Sequence, residues 1–350
     1  MQKRRILIFL LALVIFIMTG CGREEDQDSQ TYPPMAENIF TSPVEADTSS
    51  GSAGNMPIVG MGFGLMGDFV TDETNRRLYL YHGGEMNLGY WLEAEGYSNI
   101  GLGYFLFVDG QPQAYKTESD GTERYMHILY PPEGEKITGQ FIFTPVSGEQ
   151  GDTLEIYTMH IDYPAHSIDD PPRAYQTFGA GSIGSRILLE QTPPSTTQPV
   201  FQERVLSGSI THTDLTEAEI RGWSEEDLRS KLEYHFYVNG RKDFAELFSI
   251  ADTEPLDCRF EMWGCPNGEF TLTVFLNHEP VYVQDISANY GQKATAQIQL
   301  DISGYGREGV LFAVLVPQNQ FSQQLDYGLE ASGTFYLTSA ASEAELKGVG

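Results

Sequence analysis

The sequence predicts an all-β protein: two tandem β-sandwiches with a short helical segment near 216–231. Three observations predict it. Short aromatic and β-branched runs, punctuated by Gly and Asp-Gly, recur along the chain from about residue 57. The region repeats itself once. The composition, 36 Gly and 19 Tyr with only 20% charged residues, favours turns and strands over the charged surfaces of helices. At 350 residues and 41% apolar content there is material for two ordinary domains.

The first element is a leader. Lys3-Arg4-Arg5 precedes an unbroken apolar stretch, residues 6–18. Thirteen residues are too few for a permanent bilayer-spanning helix and suit the apolar centre of a signal peptide. The ending Ile17-Met18-Thr19-Gly20-Cys21 resembles the lipobox of bacterial lipoproteins. That resemblance implies removal of residues 1–20, acylation of Cys21, and insertion of its acyl chains into the lipid bilayer. It implies a protein on the extracytoplasmic side of the cell membrane. Two or more chains are enough for stable anchoring.

Residues 21–56 read as a tether. The stretch is acidic, rich in Ser and Gly and poor in aromatics, so it buries too little apolar area to offset ordering entropy.

From residue 57 a duplication can be counted. With Leu88 set on Leu256, residues 88–116 lie on 256–284 without a gap, matching Glu93 with Glu261, Phe107 with Phe275 and Pro112 with Pro280. A second block, 135–160 on 292–317, pairs Lys136 with Lys293, Thr138 with Thr295, Gln140 with Gln297 and Leu154 with Leu311. The sandwiches are expected at 57–190 and 201–345, joined by a Pro/Thr linker at 191–200. The mature part resembles tandem immunoglobulin-like surface domains. Between the matched blocks, residues 117–134 stand against 285–291, 18 residues against 7. Ser119-Asp120-Gly121 reads there as the tight turn of a copy-specific hairpin, with Gly121 supplying a positive φ. Because rigid sandwiches carry recognition on such projections, Ser119, Asp120 and Gly121 are candidate contact residues.

Thr216-Glu217-Ala218-Glu219 and Ser224-Glu225-Glu226-Asp227 are capping-box sequences, predicting one or two short helices. Leu232, Tyr234, Phe236 and Val238 alternate as a strand before an Asn239-Gly240 turn.

The chemistry-bearing motifs are thin. Gly62–Gly67 and Gly179–Gly184 match G-x-G-x-x-G, but neither sits between a strand and a long helix, so both read as Gly-rich turns or bulges beside an edge strand. His160, Asp162 and His166 share metal-ligand spacing without a fourth ligand nearby, so no metal or other cofactor is expected. No G-x-S-x-G elbow occurs. Tyr90, Trp91, Tyr97, Tyr104 and Phe105 form an aromatic cluster, read as core rather than as a sugar platform. Cys258 and Cys265 are the remaining thiols. Outside the cytoplasm they are candidates for a disulfide, although a straight strand between them would hold them apart. The 49 acidic residues against 21 basic, a net charge of −28, exclude sequence-independent nucleic-acid binding.

The functional expectation is a membrane-anchored, non-catalytic interaction module whose ligand is a surface protein or wall polymer. The alternative is a surface glycoside or peptide hydrolase using a carboxylate pair among those 49 acids.

Overall fold

Alternating apolar positions build the first sandwich. In the computed structural model, residues 60–73, 77–95, 101–132, 134–162, 164, 178–194, 201–242, 247–250, 255–264, 268–303, 308–318 and 328–339 are described. The strands in chain order are β1 (Gly60–Met66), β2 (Phe69–Thr71), β3 (Arg77–Tyr81), β4 (Met86–Glu95), β5 (Leu102–Val108), β6 (Gln111–Gln113), β7 (Met126–Leu129), β8 (Lys136–Phe143), β9 (Thr153–Asp162) and β10 (Phe178–Leu189). One sheet has the order β1-β4-β8; the other runs β2-β3-β10-β9-β5-β6, with β7 also on β5.

The second sandwich comprises β11 (Val205–Asp214), α1 (Glu225–Ser230), β12 (Leu232–Val238), β13 (Arg241–Lys242), β14 (Leu247–Ile250), β15 (Leu256–Gly264), β16 (Glu269–Leu276), β17 (Glu279–Ser287), β18 (Gln292–Leu300), β19 (Glu308–Pro317), β20 (Glu330–Ala331) and β21 (Phe335–Ser339). Its outer sheet is β11-β18-β15-β12-β13 and its inner sheet β14-β21-β19-β16-β17, with β20 on β19. In both halves three antiparallel strands share one sheet, β1-β4-β8 in the first and β12-β15-β18 in the second, while a short strand runs parallel to the last long strand of the other, β3 to β10 and β14 to β21. That two-sheet Greek-key order is immunoglobulin-like.

The strand registers equate the two halves. Phe107 faces Pro112 across the β5–β6 turn, and Phe275 faces Pro280 across the β16–β17 turn. Both turns have positive φ at their two central residues, Asp109 (52°) and Gly110 (79°) in one, Asn277 (50°) and His278 (73°) in the other. Phe63 lies opposite Leu92 as Phe236 lies opposite Phe260, and β3 joins β10 in the register by which β14 joins β21. The second block of the sequence alignment is displaced by one residue pair in each strand. Leu88 pairs with Phe141 and Leu256 with Leu300, which sets Lys136 on Thr295 rather than on Lys293. Tyr157 faces Phe107 and Phe312 faces Phe275, which sets Leu154 on Gly309 rather than on Leu311. A slip of two preserves the face each side chain occupies, so the hydrophobic pattern could not reveal it.

Three cores result. Leu102, Tyr104, Leu106 and Val108 of β5 point into the first sandwich with Phe63, Leu92 and Phe141. Phe270, Leu272, Val274 and Leu276 of β16 point into the second with Phe236, Phe260 and Leu311. The third lies between the sandwiches: Phe105 and Phe107 with Tyr157 and Met159 meet Phe275 with Phe312, Val314 and Tyr336. The central strands of the two inner sheets, β5 and β9 in one and β16 and β19 in the other, are therefore buried on both faces, and the described chain is a stack of four sheets. This explains why Tyr104-Phe105-Leu106-Phe107-Val108 and the run Val310 to Val316 are continuously apolar rather than alternating.

The helical region is shorter than its sequence suggests. Ser224 caps α1 with a complete capping box. Thr216 and Glu219 form the same reciprocal bonds, Glu219 Oε2 accepting from the Thr216 amide at 2.8 Å, but only turns follow. Gly222 then takes a positive φ of 88°, which a helix cannot absorb. Asn239-Gly240 makes the expected turn, with φ of 47° and 79°.

Candidate functional site

The copy-specific segment runs over 114–125 and packs against the sandwich. In the second sandwich β17 covers the whole of β16. In the first, the same edge is covered by β6 and then by β7, and residues 114–125 leave the sheet between them. The extra residues are thus an excursion from the middle of an edge strand, spanning 114–125 and closed as a short antiparallel turn: Tyr115 and Arg124 exchange backbone hydrogen bonds, as do Thr117 and Asp120.

That excursion crosses the open side of the sandwich. Tyr115 is fully buried, donates its hydroxyl to Tyr104 O at 2.8 Å, and packs edge-on to Phe141. Lys116 exchanges backbone bonds with Ile142 of β8 and its Nζ lies 2.6 Å from Glu85 Oε1. Asp120 Oδ1 accepts from the Thr122 amide at 2.9 Å, a turn that holds the carboxyl below the usual carboxylate range. Ser119 Oγ lies 3.2 Å from Thr117 Oγ1. Gly121 is open to solvent and does not use a positive φ, contrary to expectation, because the Asp120 side chain makes the turn. The tip folds back onto the chain: Tyr125 packs against Phe201 with ring centroids 5.9 Å apart, and Arg124 acts on Glu279, whose carboxyl burial pushes up.

A polar rim borders the interface between the sandwiches. Tyr157 donates to Glu155 Oε2 at 2.7 Å, and burial with Glu155, Asp152 and Asp285 nearby raises the Asp109 carboxyl above its ordinary range. Gln318 Nε2 bonds Asp285 Oδ1 at 2.6 Å and Thr271 Oγ1 at 2.7 Å.

The outer face of the second sandwich is arranged differently. Registers across β11, β18, β15 and β12 set side chains in rows perpendicular to the strands. At one end Lys293, Glu261 and Trp263 lie under the 215–231 segment: Lys293 Nζ is 2.6 Å from Glu219 Oε1, the bond that chiefly lowers Glu219 to about 2, and 3.4 Å from Glu261 Oε1. Gly264, with φ of 86°, lets Lys231 pass where a Cβ would overlap its carbonyl. Toward the other end the face opens into a groove of about 450 Å³. Its first row is a hydrogen-bonded chain, Ser207 Oγ to Gln299 Oε1 at 3.2 Å and Gln299 Nε2 to Asp257 Oδ1 at 2.8 Å. The next row is Ser209, Gln297, Arg259 and Tyr237, with the guanidinium 4.1 Å from the Tyr237 ring centroid. A second groove of about 440 Å³ lies beside the excursion, where Lys116 holds Glu85.

The remaining sequence candidates resolve as follows. Cys21, Cys265 and His166 lie outside the described residues. Cys258 is a free, buried thiol in the second core, and burial raises its pKa. The candidate bridge has its second cysteine outside the described residues; on β15, Cys258 and Gly264 are six residues apart, about 20 Å at the strand rise. His160 is buried beside Tyr104, ring centroids 5.9 Å apart, and desolvation lowers it to about 4. Among the described residues no group of three or more His, Cys, Asp or Glu is placed to hold a metal. Gly179–Gly184 is part of β10, in the half that pairs with β9 alone, and the register shifts between Ser182 and Ser185, as a bulge does; β3 joins only at Arg186–Leu189. All of Gly62–Gly67 except Gly67 lies within the edge strand β1, where a Cβ at Gly64 would overlap the Trp91 indole. Tyr90, Trp91, Tyr104 and Phe105 are all buried, and Tyr97 lies outside the described residues. The outer groove escaped sequence reading because its side chains are ordinary strand polar residues. Only cross-strand register assembles them.

No protein family and no curated protein matches this chain. Among solved structures, Dpr2 Ig1-Ig2 in complex with DIP-Theta Ig1-Ig3 is similar at 9% identity and TM-score 0.19, over 79% of this chain and 64% of that one. The chain therefore spans less than two thirds of that neighbour's length. Clostridium thermocellum CbhA fibronectin(III)-like modules are similar at 4% identity and TM-score 0.20, over 77% and 94% of the two chains. The Salmonella enterica SafA pilin with the SafB chaperone is similar at 8% identity and TM-score 0.22, over 82% and 98%. At these scores the fold rests on the strand order itself.

Proposed function

We propose that this chain is an extracytoplasmic lipoprotein, held to the cell membrane through acylated Cys21, that acts as a non-catalytic binding module for a surface protein or wall polymer. The observation that carries the reading is the four-sheet stack. Burying the central strands of both inner sheets fixes the two sandwiches together and leaves their outer sheets and loops as the presenting surfaces. Neither described groove opposes two free carboxylates: the outer one is lined by Asp257 alone among acids, and in the other, lined by Glu85 and Glu123, Glu85 is engaged by Lys116. A tether of 36 residues, 21–56, would carry the stack away from the bilayer.

Fractionation and capture test this together. The full chain should sediment with membranes, and Cys21→Ser should release it or leave it uncleaved. Crosslinking on intact cells should then capture a partner. Membrane retention that survives Cys21→Ser would defeat the anchor, and turnover of a glycan or peptide by the purified chain would favour a hydrolase.

A further inference from the structure

We infer that the groove on the outer sheet of the second sandwich is a binding site for a neutral polysaccharide chain, lying across the strands from β11 toward β12. The inference rests on the reading of the chain as a binding module and names its ligand.

Geometry is the first argument. The groove presents one polar side chain per strand in each row, Ser207, Gln299 and Asp257 in one and Ser209, Gln297 and Arg259 in the next. Neighbouring strands lie about 4.8 Å apart, a repeat comparable with the length of one pyranose residue. A linear sugar polymer crossing the strands therefore meets a fresh hydrogen-bonding group at each residue. At about 450 Å³ the groove lies within the range of small-ligand sites.

The chemistry fits the same ligand. Gln297 and Gln299 are exposed, and each amide carries both donor and acceptor, the pairing that adjacent hydroxyls require. Asp257 Oδ1 is fixed by Gln299 Nε2, and the Asp257 amide by Asn239 Oδ1 at 2.9 Å, so the first row is pre-organised. Arg259 Nε is buried without a hydrogen-bond partner, 3.4 Å from Glu261 Oε1, with the guanidinium laid on Tyr237.

Charge and apolar content exclude the competitors. Arg259, the one cation lining the groove, is already paired with Glu261, and a chain of net charge −28 repels polyanions. Protein partners dock through buried aromatic or aliphatic anchors entering pockets. Here the one large ring, Tyr237, is already covered by Arg259. What remains is a surface for an uncharged polyol.

Affinity electrophoresis of the full-length chain in detergent tests it. Native gels would contain mixed-linkage β-glucan, arabinoxylan, galactomannan or dextran, with polygalacturonate as the charged control. The expected result is retardation in at least one neutral polymer and none in polygalacturonate. Gln297→Ala combined with Gln299→Ala should weaken binding about tenfold, the loss of two ordinary hydrogen bonds, with an unchanged denaturation midpoint. Retardation in no neutral polymer overturns the inference, as does retardation that the double variant keeps. If the gels fail while surface crosslinking still captures a protein, the sugar site falls and the binding-module reading stands.

Discussion

Phe107 and Phe275 occupy the same position in their respective sandwiches, each opposite the Pro of a two-residue turn, and they touch. Their ring centroids are 6.1 Å apart at an interplanar angle of 90°. Phe105 meets Phe275 at 5.0 Å, and Phe275 stacks on Phe312 at 5.1 Å. Equivalent residues of the two halves thus meet in the core that the sandwiches share.

Such an interface couples the halves thermodynamically. Phe275→Ala should cost about 3–5 kcal/mol through its lost burial and the cavity left behind. In urea, fluorescence from Trp91 in the first sandwich and Trp263 in the second should fall in one shared transition, shifted together. Loss confined to the second sandwich would show that the stack is not a cooperative unit.

Gly110 tests the interface from its rim. It holds a φ of 79°, and a Cβ there would lie 2.6 Å from Thr271 Oγ1 of the other sandwich. Gly110→Ala combines backbone strain with an overpacked contact and should cost about 2–3 kcal/mol by thermal denaturation. The matching change at Gly240, where φ is also 79° but nothing lies within 4 Å, carries the strain alone. A smaller loss at Gly110 than at Gly240 would contradict the contact.

Shortening residues 114–125 to a single residue, as in the second copy, removes Tyr115 from a fully buried site over Phe141 and Tyr104. A loss of about 3–5 kcal/mol is expected, the cost of deleting a large buried aromatic. A denaturation midpoint like that of the parent chain would refute the covering role of the excursion.

His160 gives the stack an acid limb. Burial lowers its folded pKa to about 4, against 6.5 in the unfolded chain. Between those values the unfolded state binds the extra proton, so stability is whole above pH 6.5 and falls as pH drops toward 4, by about 3 kcal/mol in all. His127, lowered by burial as well, acts in the same direction. Stability measured from pH 7 to pH 4 should show a shallower fall in His160→Gln than in the parent. Parallel curves would dismiss the assignment.

The strands, the Asn239-Gly240 and Asp109-Gly110 turns and the Leu88-on-Leu256 match were legible because apolar period and turn chemistry are local properties. The place of the excursion was not, since cutting an edge strand at Gln113 or at Lys116 leaves the same apolar pattern on either side. Nor could the shared core be foreseen. A strand apolar on both faces, such as β5, says that something covers it without saying what. The outer groove was least visible, because Gln297, Arg259 and Tyr237 become neighbours only through pairing across three strands.

The broken edge strand also settles which copy meets which. A duplicated domain carries two versions of one face, and a face that grips its twin within a chain is equally able to grip a twin on the next chain. Residues 114–125 exist on one side only, with Tyr125 against Phe201 and Arg124 turned toward Glu279. A pairing of two second copies has no counterpart for those contacts. The halves are thus no longer interchangeable at this face: the contacts of Tyr125 and Arg124 form only when a first copy meets a second.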